Sequence, residues 1–209
     1  MELAPLHAVL RAIAEGLLIP VLVILLLFMA ITLVMLGSLI VELASENRRL
    51  NRELPKLASS LQKGGDIKQI IADSGILSRQ KRGLTSIIDQ TLSSAKRESL
   101  AIRIIEGERA YFDRITWITD VIARLGPAFG LIATLIPLGP GVVALGSGDT
   151  QTLSSAMLTA FDATVAGLIS SGVAFIISGV RKRMYASTLS SLELATEYLV
   201  EAVENENQQ

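Results

Sequence analysis

Two long stretches of this chain carry almost no charge, and nothing else restricts its fold as much. Between Glu15 and Glu42 no residue is charged. Between Arg124 and Arg181 there is no Lys or Arg, and the only charges are Asp149 and Asp162. A soluble helix keeps a polar face for water, so charge recurs along every element. Here only 19% of the 209 residues are charged, and the mean hydropathy is +0.51. The pattern predicts an all-α membrane protein with three transmembrane helices and long cytoplasmic helical extensions.

The first apolar run, Gly16 to Val41, holds 26 uncharged residues. A span needs about 20 apolar residues. The run is too long for a signal-peptide core and lacks a basic segment before it. It is read as transmembrane helix 1 (16–41), after an extracytoplasmic segment 1–15. Leu125 to Gly148 supplies helix 2 (125–148), and residues 152–180 supply helix 3. The polar stretch Gly146-Ser-Gly-Asp149-Thr-Gln-Thr152 between them predicts a tight turn and an antiparallel hairpin. Pro137 and Pro140 are expected to kink helix 2 or to end it near Gly141.

Basic residues set the expected orientation. Segment 42–124 holds 15 Lys/Arg against 11 Asp/Glu, and Arg181-Lys182-Arg183 follows helix 3 at once. Segment 1–15 has only Arg11, and the hairpin turn has no basic residue. The N-terminus and the hairpin turn are therefore expected outside, with 42–124 and 181–209 in the cytoplasm.

Segment 42–124 is too long for a bare loop. Gly64-Gly65 is the expected turn of a helical hairpin. Leu84, Ile88, Leu92, Ala95, Ile102 and Ile105 form an approximate helical stripe, and Glu108 to Arg124 is expected to run straight into helix 2. Beyond helix 3, Tyr185, Leu189, Leu192, Thr196, Leu199 and Val203 recur at spacings 4, 3, 4, 3, 4, with Glu193, Glu197 and Glu201 outside that seam. Such a seam packs either on segment 84–124 or on another subunit.

The composition also excludes functions. With no cysteine there is no disulfide framework or thiolate metal site, and His7 alone makes no zinc site. A net charge of -1 and 4% aromatics argue against nucleic-acid binding. No nucleophile–base pair, carboxylate pair or phosphate loop is present. Gly139-Pro140-Gly141 and Gly146-Ser-Gly148 lack a lysine. Asp66 and Asp73 read as solvated charges and His7 as an extracellular surface residue. The chain is read as no enzyme, with no metal and no cofactor.

What remains are small and hydroxylated positions inside the spans. On helix 3, Ala160, Thr164, Gly167, Ser171, Ala174 and Ser178 are spaced 4, 3, 4, 3, 4 and share one face. On helix 2, Gly126 and Gly130 are one turn apart, with Thr134 a turn further. Small residues let helices approach closely in lipid, so plain packing is one reading. A narrow hydratable path lined by the hydroxyls of Thr134, Thr164 and Ser171 is the other. Asp162 is the one acid embedded in an apolar span, where an acid costs roughly 2.5–3.5 kcal/mol at mid-bilayer. It handles a proton or bonds at an interface or to a neighbouring subunit.

Pro127, Gly130, Leu131 and Thr134 on helix 2, with Ala163, Thr164, Gly167 and Leu168 on helix 3, resemble the paired motifs of the MotA/TolQ/ExbB proton channel family. The order of one span, a cytoplasmic insert, a hairpin and a cytoplasmic tail resembles its ExbB/TolQ branch. The motif match covers about Glu108 to Arg183; residues 1–107 agree in layout only. The resemblance implies a homo-oligomeric ring, commonly a pentamer, in the inner cell membrane. The ring surrounds a one-span partner of the ExbD/TolR/MotB type that carries the membrane aspartate. It implies proton conduction past Thr134 and Thr164, with the proton motive force energising another process. Asp162 and the run Pro137-Leu-Gly-Pro-Gly141 depart from the pattern and mark a divergent subfamily. The alternative is an oligomeric membrane scaffold that conducts nothing.

Overall fold

A computed structural model describes residues 3–63, 67–76, 78–88 and 93–207. Among these residues every regular element is an α-helix, in the order α1 (Leu3–Lys63), α2 (Ile67–Asp73), α3 (Ser78–Ile87), α4 (Ser94–Gly146) and α5 (Thr150–Asn207). Three of them, α1, α4 and α5, are long and apolar enough to cross a membrane. They divide between two compact units. Residues 1–38 and 117–178 form one, and residues 39–116 and 179–209 the other.

The first unit contains the apolar runs. Its core is Val21, Leu25, Ala133 and Ala163, with Leu22 and Phe129 packed against them. Phe28 and Phe129 meet edge to face, with ring centroids 5.7 Å apart, an arrangement the ring quadrupoles favour. The hairpin turn follows from its residues. The N–H of Gly148 donates to Leu145 O at 3.0 Å and that of Asp149 to Ala144 O at 2.9 Å. This is the Schellman closure of α4, and it places Gly148 at φ +81°, a conformation glycine adopts without a Cβ penalty. Asp149 then caps α5 by accepting the Thr152 N–H at 3.0 Å. The Thr152 hydroxyl on the same carboxylate, and after it that N–H bond, hold Asp149 below the usual carboxylate pKa range.

Pro137 and Pro140 do not end α4, which contains both and continues to Gly146. A proline removes one intrahelical bond, and in a span the neighbouring helix and local adjustments compensate for it. The continuity expected from Glu108 to Arg124 is present, since α4 runs unbroken from Ser94.

The second unit has its own core. Leu57, Ile71, Ile76, Leu84, Ile87, Ile88 and Ala101 pack with Leu192, Ala195 and Leu199. The heptad seam of α5 is thus buried within the chain: Leu192, Thr196, Leu199 and Val203 are buried, while Glu193, Glu197 and Glu201 are exposed. The stripe from Leu84 to Ile105 does not form one helix, because α3 stops at Ile87 and α4 begins at Ser94. Arg97 explains the stop: it is 2% exposed, and its Nε donates to Ile87 O at 3.0 Å, ending α3 with a buried cation. α1 ends at Lys63 and α2 begins at Ile67. Gly64-Gly65, Asp66 and Leu92 lie outside the described residues, as does the side chain of His7. Asp73 is exposed.

Candidate ion-pathway site

The hairpin of α4 and α5 brings the small residues together. A Cβ added at Gly167 would stand 2.8 Å from Gly126 O and 3.0 Å from Gly130 Cα. One added at Gly126 would meet the Ser171 Cβ at 2.8 Å. Nearer the turn, one at Gly141 would lie 3.1 Å from the Ala156 Cβ. Contacts falling on α5 as they rise on α4 show that the helices are antiparallel. Backbone against backbone at such range is possible only where side chains are absent.

Around this contact, Ala160, Gly167, Ser171, Ala174 and Ser178 are buried, and Thr164 is half-buried. Thr134 on α4 is also half-buried. Each hydroxyl donates to its own helix: Thr134 to Leu131 O at 2.7 Å, Thr164 to Ala160 O at 3.0 Å, and Ser171 to Leu168 O at 3.1 Å. The two threonine hydroxyls do not bond to one another. Each oxygen keeps lone pairs to accept a bond from water or a proton carrier. Thr164 Cα lies 3.7 Å from the position a Cβ at Gly130 would take, and Thr134 stands one turn beyond Gly130. Both hydroxyls therefore belong to the same stretch of the hairpin.

Asp162 faces outward, as do Phe161, Val165, Leu168 and Phe175. No hydrogen bond or ion pair holds Asp162 among the described residues. What meets it in the membrane is lipid, water or another chain.

Two polar clusters went unnoticed in the sequence. In the first unit, the Ser178 hydroxyl donates to the Asp120 carboxylate. In the second, Arg181 Nε lies 3.1 Å from Glu42 Oε2, and the Tyr185 hydroxyl donates to Glu42 Oε1 at 2.6 Å. Arg181 is 4% exposed. Tyr185 also stacks on Phe112 with centroids 4.2 Å apart. Burial and the adjoining Glu42 carboxylate push the Tyr185 hydroxyl well above its ordinary pKa, so it remains a donor. One signal was available: Glu42 is the first charge after one apolar run and Arg181 the first basic residue after another, so both stand where a span ends.

The model of the MotA/TolQ/ExbB proton channel family matches residues 71–194, which include the whole hairpin and part of the polar insert. The chain belongs to this family. The match extends further to the N-terminal side than the helix 2 and helix 3 motifs, taking in α3 and the first turns of α4. No individual curated protein matches the sequence. Family membership, with three helices able to span, makes the chain a multi-pass membrane protein of a proton channel family whose members work in complexes with partner proteins.

Proposed function

We propose that this chain is the ring-forming subunit of a proton-conducting stator complex. The ring, a pentamer in this reading, surrounds a one-span ExbD/TolR/MotB-like partner. It stands in the inner membrane with its N-terminus outside and residues 42–124 and 181–209 in the cytoplasm. Protons pass between the partner's membrane aspartate and a path edged by Thr134, Thr164 and Ser171. Each proton crossing 100 mV releases about 2.3 kcal/mol, and that energy drives another process through motion of ring against partner.

The observation that carries this reading is the hydroxylated hairpin itself. Pro127, Gly130 and Thr134 on α4 and Ala163, Thr164 and Gly167 on α5, which resemble the family's paired motifs, lie within the matched residues on two helices in backbone contact. Hydroxyls orient water and pass protons without the cost of a fixed charge in lipid. The hairpin carries no cation, and its one span acid faces outward, which suits a titrating carboxylate supplied by another chain. Gly126, Gly130, Ala160, Gly167, Ala174 and Ser178 set the packing, and Pro137 and Pro140 bend α4 to fit. Asp162 bonds to a neighbouring subunit or draws cations toward the outer mouth.

The natural absence of cysteine gives a direct test. Thr134→Cys and Thr164→Cys, each the sole thiol, are expected to react with a small water-borne thiol reagent in assembled complexes. Thr32→Cys, buried on α1, is expected not to react. Protection of both threonine positions would remove the path.

One observation favours a non-conducting scaffold: the small face is already used in contact between α4 and α5. Under that reading a bulky residue at Gly167 breaks assembly, and Thr164→Val changes nothing.

A further inference from the structure

Among the buried hydroxyls of the described residues, two have no hydrogen-bond partner: Thr32 on α1 and Ser170 on α5. They are 2% and 1% exposed. Other buried hydroxyls turn to a carbonyl of their own helix, as Thr196 does to Leu192 O, or to a carboxylate, as Ser178 does to Asp120. Thr32 and Ser170 do neither, and both belong to the first unit, which contains the apolar runs. An unbonded hydroxyl is costly there, because no bulk solvent reaches it.

The two hydroxyls stand at one level. Leu25 and Ala163 pack in one core, and Thr32 and Ser170 follow them by the same seven residues, about two helical turns. A second route leads to the same place. Val21 and Leu25 pack with Ala133, and Phe28 meets Phe129, so α1 runs antiparallel to α4 and in the same direction as α5. One turn beyond Phe28 is Thr32. The matching turn of α4 brings Gly126, where an added Cβ would meet Ser171, the neighbour of Ser170.

An occupant of this place must be small, must both give and accept hydrogen bonds, and must fit a packed interior. Water meets all three conditions. Each hydroxyl offers it a donor and acceptor lone pairs, and a helical carbonyl keeps a second lone pair for a further bond. We propose that Thr32 and Ser170 hold one buried water between α1 and α5. The water fixes where α1 sits along α5, because apolar side chains gain nothing by leaving lipid for one another. An enclosed water also leaves Thr32→Cys out of reach of a dissolved thiol reagent. The inference goes beyond conduction and stands whether or not the hairpin passes protons.

The experiment uses the full chain, isotope-labelled at its alanine and threonine methyl groups and reconstituted in lipid bilayers. Solid-state NMR reads the rate at which each methyl receives magnetisation from water, and the Thr32 signal is assigned by its loss in Thr32→Val. The expected result is transfer to Thr32 several-fold faster than to Ala133, which is fully buried in the same unit. In Ser170→Ala the Thr32 rate should fall to that of Ala133. Equal rates at Thr32 and Ala133 in the native chain overturn the proposal, because the hydroxyls then bond to each other or to their own helices. A Thr32 rate unchanged by Ser170→Ala also overturns it, because the water is then not shared. The Thr134 and Thr164 methyls report on the proposed path in the same spectra, so the two readings fail separately.

Discussion

Arg181 and Glu42, 139 positions apart in the chain, form an ion pair at 3.1 Å with the arginine 4% exposed. α1 and α5 are thereby joined at the residues that follow their apolar runs. Breaking a buried pair by removing one partner leaves the other charge uncompensated, which costs about 3–5 kcal/mol. Arg181→Ala is therefore expected to lower the unfolding temperature in mild detergent sharply. Arg181→Met with Glu42→Leu, which removes both charges, is expected to be far milder. Equal damage from the single and the double replacement would contradict the pairing.

Tyr185 adds a bond from a neutral donor to a charged acceptor, worth about 1.5–3 kcal/mol. Tyr185→Phe keeps the ring on Phe112 and removes only that bond. The variant is expected to lose stability within this range, measured by denaturant unfolding at neutral pH. Burial raises the tyrosine's folded pKa, so its contribution is complete below the ordinary tyrosine pKa and declines as pH rises beyond it. The phenylalanine variant should lack that part of the alkaline decline.

The glycines of the hairpin divide cleanly. A methyl at Gly167 falls 2.8 Å from Gly126 O, whereas one at Gly172 meets nothing within 4 Å. Gly167→Ala forces the helices apart and is expected to cost about 1–3 kcal/mol, the usual penalty of overpacking. Gly172→Ala on the same helix should be neutral or slightly stabilising. Thermal unfolding of the two variants side by side checks the contact.

Asp149 caps α5 while ionised, and its pKa is held low by the bonds from Thr152. A lowered folded pKa contributes stability that is present above the unfolded carboxylate value and is lost as pH falls through the folded one. Asp149→Ala is expected to lower the unfolding temperature at neutral pH and to flatten its fall in acid. Asp149→Asn should keep most of the cap and lose the acid dependence. A melting temperature indifferent to both changes would show that the cap does not hold the turn.

Much of this was legible in the sequence because lipid imposes simple rules. Charge-free runs marked the three helices able to span, and Gly146 to Thr152 marked the turn, because a Schellman glycine and an Asp cap are local features. Thr134 and Thr164 stood out as hydroxyls at helical spacing from small residues, and both lie half-buried on the α4–α5 hairpin. The break between Ile87 and Ser94 was not legible, because it depends on Arg97 reaching ten residues back to a carbonyl. The Glu42–Arg181–Tyr185 cluster was missed for the same reason: periodicity along one helix says nothing about which residue of a distant helix stands at equal depth. Asp162 was visible as an anomaly, and its outward position in a single chain explains why no partner for it could be read from this sequence.

The most direct measurement of the central claim is proton flux through the assembled complex, with the one-span partner co-expressed and a pH-sensitive dye inside the vesicles. Val replaces the threonine hydroxyl by a methyl of similar size. The account predicts that Thr164→Val abolishes flux and the driven process while the oligomer keeps its mass. Undiminished flux in Thr164→Val would contradict it.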